Sequence, residues 1–200
     1  MIEVNQSTQL QVIDAYFQKD TISEASHSLN MKLKSTYDTK LLDIMIKTGN
    51  TINLINLCLS SIHSQHIIVL DQRYMKGVQK LCKSTVKKVY FTDISLTSEQ
   101  FKSIFEYCCK VKILMFMRCK IDEIPKDFAF DSNLKYEIKR FEPRKAIGSK
   151  GLFKIAKAIS NNKNLRKSLS HIVVNRSIQG IVCQKLEKVG LKVVIDQFSK

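Results

Sequence analysis

The chain has 200 residues, 44% hydrophobic and 26% charged with two prolines, which is enough apolar mass for one folded domain and too little bias for long disorder. Its net charge is +15, with 27 lysines against 6 arginines. Arginine rather than lysine supplies bidentate contacts to guanine, so a sequence-specific nucleic-acid reader is disfavoured while contacts to a phosphate backbone stay open.

No apolar run reaches the roughly 18 residues that span a bilayer, the longest candidates being LINLCLSSI and HIIVL. The N-terminal stretch carries Glu3 and Asp14 and no Arg, so it lacks the basic start of a secretory or transit signal. A soluble intracellular protein, cytoplasmic or mitochondrial, is the expectation. The six cysteines (Cys58, Cys82, Cys108, Cys109, Cys119 and Cys183) include no CxxC pair. Most fall at or beside apolar positions, where a thiol serves as a small core residue in a reducing compartment rather than as a zinc ligand or disulfide partner.

In chain order, TQLQVIDAYFQ predicts an N-terminal helix. Leu29, Met31 and Leu33 alternate as a short strand. TKLLDIMIKTGN reads as a helix stopping at Gly49, because glycine accepts the left-handed backbone that follows a helix. LINLCLSSI offers Leu54, Leu57, Leu59 and Ile62 as the next strand. HIIVL and a helix near YMKGVQKLCK then lengthen the step to Val86 and read as an insertion.

VKKVYFTDIS and VKILMFMRCKI share one template. Its apolar slots are Val86, Val89, Phe91 and Ile94 in the first copy, and Val111, Leu114, Phe116 and, past Cys119, Ile121 in the second. Between them, Phe101, Ile104, Phe105 and Cys108 form one helix face, and Thr97 with Gln100 makes a capping box at its start. Phe128 and Phe130 in PKDFAFDSN read as either a contact surface or core. NLKYEIKRFEP fits the template only with an offset, as a degenerate or bulged copy. GLFKIAKAISNNKNL places Leu152, Ile155, Ala156 and Ile159 on an inner helix face. Leu169, Ile172, Val174 and Ser177 refit the strand; IQGIVCQKLEKVG is a helix ending at Gly190, and LKVVIDQF a final strand.

A strand-turn-helix unit recurring at about 25 residues resembles the leucine-rich repeat family, and GLFKIAKAISNNKNL resembles the helical half of ribonuclease-inhibitor-like repeats. The resemblance implies a single α/β domain over residues 1–200, a leucine-rich repeat solenoid or horseshoe of about six to seven strand-helix units with parallel strands on the concave face. Its parts would be a helical N-terminal cap (1–26), repeats (27–133), a basic, degenerate repeat (134–167) and C-terminal repeats (168–200). Alternating strands and helices also suit a doubly wound sheet with a ligand crevice. Polar residues at fixed slots (Lys87, Lys88, Tyr90, Lys112, Arg118) fit strands with one bare face better than strands buried on both.

In such a horseshoe the variable strand positions form a ladder on the concave face. That ladder would include Asn56, Cys58, Lys87, Lys88, Tyr90, Lys112, Met115, Met117, Arg118, Ser170, His171, Val173 and Asn175, with Tyr, Met and Arg the types enriched at protein interfaces. A second candidate is a basic segment of Lys135, Lys139, Arg140, Arg144, Lys145, Lys150, Lys154, Lys157, Lys163, Arg166 and Lys167, set against Glu137 and Glu142. Such a concentration suits docking to RNA phosphates, an acidic protein tail or anionic lipid.

Catalytic motifs are absent: there is no GxSxG, Walker loop or HExxH, and GSKG at Gly148 lacks the spacing for phosphate cradling. His63 and His66 near Asp71 read as surface-loop residues. The expectation is a non-enzymatic protein-protein interaction scaffold without cofactor, metal or small-molecule substrate, a basic complex subunit whose protein partners carry acidic surfaces. One alternative is an RNA-associated, ribosomal accessory protein. Another is a mitochondrial subunit similar to the ATP synthase coupling factor B group, on size and the final strand.

Overall fold

The computed structural model describes residues 17–19, 27–34, 36–51, 54–62, 66–83, 85–175, 180–188 and 190–196. The strands are β1 (Phe17–Lys19), β2 (His27–Leu33), β3 (Asn56–Ser61), β4 (Ile68–Val69), β5 (Lys88–Thr92), β6 (Ile94–Leu96), β7 (Ile113–Met117), β8 (Lys120–Ile121), β9 (Arg140–Arg144), β10 (His171–Asn175) and β11 (Lys192–Asp196). The helices are α1 (Thr39–Thr51), α2 (Met75–Leu81), α3 (Ser98–Tyr107), α4 (Ser149–Asn161), α5 (Lys163–Ser168) and α6 (Ile181–Lys188), with a 3-10 turn at Gln72–Tyr74.

One mixed α/β architecture results. Its main sheet runs β1-β2-β3-β5-β7-β9-β10-β11, antiparallel between β1 and β2 and parallel from β2 to β11. The order follows the chain without reversal, so the sheet lacks the switch point at which doubly wound folds bind ligands. A second parallel sheet, β4-β6-β8, is formed by the strands that follow β3, β5 and β7 in the chain.

Alternation decides which face is buried. Leu57, Leu59, Val89, Phe91, Leu114, Phe116, Phe141, Ile172 and Val174 all point to one side and are buried together with the inner faces of the helices. Residues preceding successive strands are interchangeable in their bonding. The amides of Lys87 and Lys88 donate to the Ile55 carbonyl, those of Lys112 and Ile113 to Lys87, those of Lys139 and Arg140 to Lys112, and those of Ser170 and His171 to Lys139. Left-handed residues recur where strands end, at Asp93, Arg118 and Arg144, with φ of 56°, 49° and 42°.

The capping box forms as read: the Thr97 hydroxyl accepts from the Gln100 amide at 3.1 Å and the Gln100 side-chain oxygen accepts from the Thr97 amide at 3.0 Å. Gln100 Nε2 also donates to the Leu70 carbonyl at 2.9 Å, tying α3 to the preceding unit. Gly190, with φ +84°, closes α6 as a left-handed cap.

Several expectations are revised. Gly49 does not end its helix, since α1 runs on to Thr51; a Cβ there would meet the Lys80 carbonyl oxygen at 2.6 Å, so glycine is needed for close helix packing. HIIVL is no insertion: β4 is the first strand of the second sheet, pairing with β6. Of the N-terminal helix, Phe17 and Gln18 alone are described, and they form strand; the rest, like Ser177 and His63, lies outside the described residues. No helix separates β8 from β9. Instead Phe130 packs on Phe105 at 4.5 Å and Phe128 on Phe101 at 6.0 Å, while Asn164 Nδ2 donates to the Ser132 and Leu134 carbonyls at 2.9 and 3.1 Å. The offset expected at NLKYEIKRFEP is not found against β7, where Arg140, Phe141 and Glu142 pair in step with Ile113, Leu114 and Met115; the β9–β10 register is irregular only beyond Phe141, between Ile172 and Val174. Among the described residues no helix is long and apolar enough to cross a membrane.

Candidate interaction face

The side of the main sheet opposite the core carries the residues between the buried ones. Strand pairing aligns them in rows across neighbouring strands, about 4.8 Å apart. The first row is Asn56, Lys88, Ile113, Arg140, His171 and Lys192. The second is Asn30, Cys58, Tyr90, Met115 and Glu142, and the third Lys32, Ser60, Thr92 and Met117.

At the centre is Glu142, its side chain 3% exposed. Arg140 Nε donates to Oε1 at 2.6 Å and Arg144 Nη2 to Oε2 at 3.1 Å. Two guanidiniums thus hold one carboxylate, an arrangement that compensates its desolvation and leaves the cluster net positive. Arg140 uses its Nε here; its Nη donors have no carboxylate partner among the described residues. Burial, followed by the nearby Glu142 carboxylate, pushes the Tyr90 phenol up. Burial likewise raises the Cys58 thiol, against weaker opposing effects of Thr92 and Lys32. The face therefore has an aromatic and aliphatic middle (Tyr90, Ile113, Met115, Met117) with cations at Lys32, Lys88, Arg140, Arg144 and Lys192.

Of the residues expected on the ladder, Lys88, Tyr90, Met115, Met117, His171 and Asn175 lie on these strands, as do Asn56, Cys58 and Val173. Lys87, Lys112 and Ser170 sit one residue before their strands, on the lip. Arg118 lies in the turn beyond β7, where its Nε and Nη2 each reach an Asp93 carboxylate oxygen at 2.7 Å. Sequence reasoning missed Glu142 as the centre, and placed Arg140 and Arg144 in the basic segment, because the charges flanking Phe141 hide an alternation that β9 keeps in step with β7.

The basic segment divides in space. Arg140 and Arg144 lie on β9 and Lys139 on its lip; Lys135 and Lys145 are exposed in flanking loops. Lys150, Lys154 and Lys157 lie on α4, and Lys163, Arg166 and Lys167 on α5. Cys82 and Cys108 are buried with sulfurs 3.3 Å apart, and Cys119 Sγ donates to the Phe91 carbonyl at 3.3 Å. Among the described residues no group of three or more His, Cys, Asp or Glu gathers as metal ligands would. No family model matches the chain, and no curated protein matches its sequence.

Proposed function

We propose that this protein is a non-enzymatic interaction subunit of leucine-rich-repeat type, whose open sheet face holds an acidic segment of a protein partner. The observation that carries this reading is the row Lys88–Ile113–Arg140–His171–Lys192 beside Tyr90 and Met115, an apolar strip edged by cations on a sheet face turned away from the core. Arg140, with Nη donors to spare, suits bidentate capture of a carboxylate. Strand order along the chain, the repeated backbone bonding before each strand and the recurring left-handed turns support a stacked-repeat reading.

Recognition of RNA phosphates by the basic segment ranks second, because its eleven residues divide between the open face, the loops and the helical side rather than forming one track. The test is recovery of tagged protein from its native cells, with and without nuclease, for wild type, Tyr90→Asp and Lys88→Glu. The expected result is a set of proteins that survives nuclease and is lost with either substitution while the thermal melt is unchanged. Partners that vanish on nuclease treatment and ignore both substitutions would reject the reading in favour of RNA.

A further inference from the structure

On the helical side, a cleft of about 550 Å³ is lined by Lys126 from the loop after β8, Ser149, Lys150, Phe153, Lys154 and Lys157 from α4, and Val182 from α6. A second opening of about 330 Å³ shares Phe153 and Lys157 with it and adds Ala156, Ser160, Lys185 and Lys188. Among the described residues the lining of both is lysine, serine and apolar side chains, with no carboxylate and no arginine.

The lysines are not equivalent. Lys154 is committed, its Nζ donating to Glu123 at 3.1 Å and to the Ile124 carbonyl. Lys185 stands over the Phe153 ring, 3.8 Å from its centroid. Lys126, Lys150, Lys157 and Lys188 have no carboxylate partner among the described residues. Bringing these cations together around an apolar floor is unfavourable in the free protein, and an anionic occupant with an apolar portion relieves both the repulsion and the exposure of Phe153 and Val182.

We infer that this cleft is a second docking site, for an acidic segment of a protein partner that places an aliphatic or aromatic anchor against Phe153 and Val182 with carboxylates toward Lys126, Lys150, Lys157 and Lys188. The inference does not rest on the reading of the open face, which lies on the other side of the sheet. RNA is the poorer fit. Single-strand binding relies on several free aromatic faces along a basic groove; among the described lining residues there is one aromatic ring, and Lys185 occupies a face of it. A membrane surface is also poorer, because Phe153 and Val182 are half-buried between the lysines rather than presented as an exposed apolar helix face.

The experiment is fluorescence anisotropy with four probes: an acidic peptide of about twelve residues carrying leucine and phenylalanine anchors at helical spacing, the same peptide with alanine at the anchors, oligouridine of similar length, and vesicles containing phosphatidylserine. The anchored peptide is expected to bind about tenfold more tightly than its alanine version, and Lys150→Glu with Lys157→Glu to remove that binding. Phe153→Ser should abolish the tenfold preference for anchors while retaining weak charge-driven binding, and Tyr90→Asp should leave the Phe153-dependent part of the binding intact. Circular dichroism and thermal melts establish that each variant folds, and Lys150→Gln with Lys157→Gln replaces the reversal if that variant does not. Equal affinity for anchored and unanchored peptides, tighter binding to oligouridine or vesicles, or indifference to the lysine changes overturns the proposal.

Discussion

Phe101 shows how much of this fold rests on single side chains. It is fully buried, and its ring lies 5.4 Å from Phe116, 5.9 Å from Phe105 and 6.1 Å from Phe141, joining α3 to two neighbouring strands. Phe101→Ala should destabilise the protein by about 3–5 kcal/mol through lost burial and the cavity left behind, read as a lower urea midpoint at unchanged slope. Charge is placed as locally as volume. Lys112 Nζ lies 2.6 Å and Lys110 Nζ 3.3 Å from the Glu137 carboxylate, and these bonds, Lys112's first, hold its pKa at about 2 rather than 4.5. A folded pKa below the unfolded one means that this contribution to stability is present in full above pH 4.5 and is lost as pH falls through about 2. Carboxyl NMR should find the midpoint near 2 and see it rise in Lys112→Ala; an ordinary midpoint in the wild type would reject the ion pair.

Among the elements, the α1–α2 pair carries the most specific packing requirement, with a glycine from each helix at the seam. A Cβ on Gly49 would lie 2.6 Å from the Lys80 carbonyl oxygen, and one on Gly77 2.8 Å from the Met45 Cβ. Backbone opposes the first and a flexible side chain much of the second. Gly49→Ala should therefore cost about 1–3 kcal/mol as the helices separate, and Gly77→Ala less; equal, negligible losses in thermal denaturation would refute this close seam. Gly49 also marks where sequence reading reaches its limit. A glycine near the end of a helical pattern reads locally as a cap, and its role is visible only once the other helix is in place. By contrast, period and capping are local signals, so α3 with Thr97 and Gln100, the inward faces of β5, β7 and β10, and the cap at Gly190 were legible. The interaction face was legible where the template was recognised and lost at β9, where Arg140, Phe141 and Glu142 pair in step with Ile113, Leu114 and Met115 but the charges flanking Phe141 hide the alternation. Of the cleft, Lys150, Lys154 and Lys157 were counted from the sequence, but not Lys126, Lys185, Lys188 or the floor, because these come together from a loop and separate helices.

Across the whole molecule, strands follow chain order, so each interior strand of the main sheet pairs with the main-sheet strand before it and the one after it. Under the stacked-repeat reading proposed above, stability is a sum of local and nearest-neighbour contributions along one continuous core. The aromatic cluster of Phe91, Phe101, Phe105, Phe116, Phe130 and Phe141 concentrates burial between β5 and β9. At the far end, β11 pairs among the described strands with β10 alone, and Ile195 stays 41% exposed. Hydrogen exchange should follow this distribution, with the slowest amides in β5 and β7 and faster exchange in β11 and α6 through local opening. Uniform protection from β3 to β11 would instead require global unfolding as the dominant opening and would contradict the nearest-neighbour account. The gradient bears on recognition. Tyr90, Met115 and Arg140 sit on the best-supported strands, so the open face is held in place before a partner arrives and little ordering cost falls on binding there. The lysine cleft has one wall on α4, whose inner face is buried, and the other on α6, in the unit expected to open first. An occupant bridging the two would slow exchange in α6 and β11 more than in β5, which makes the same amide measurement, repeated with the anchored acidic peptide, a map of which side of the sheet it occupies.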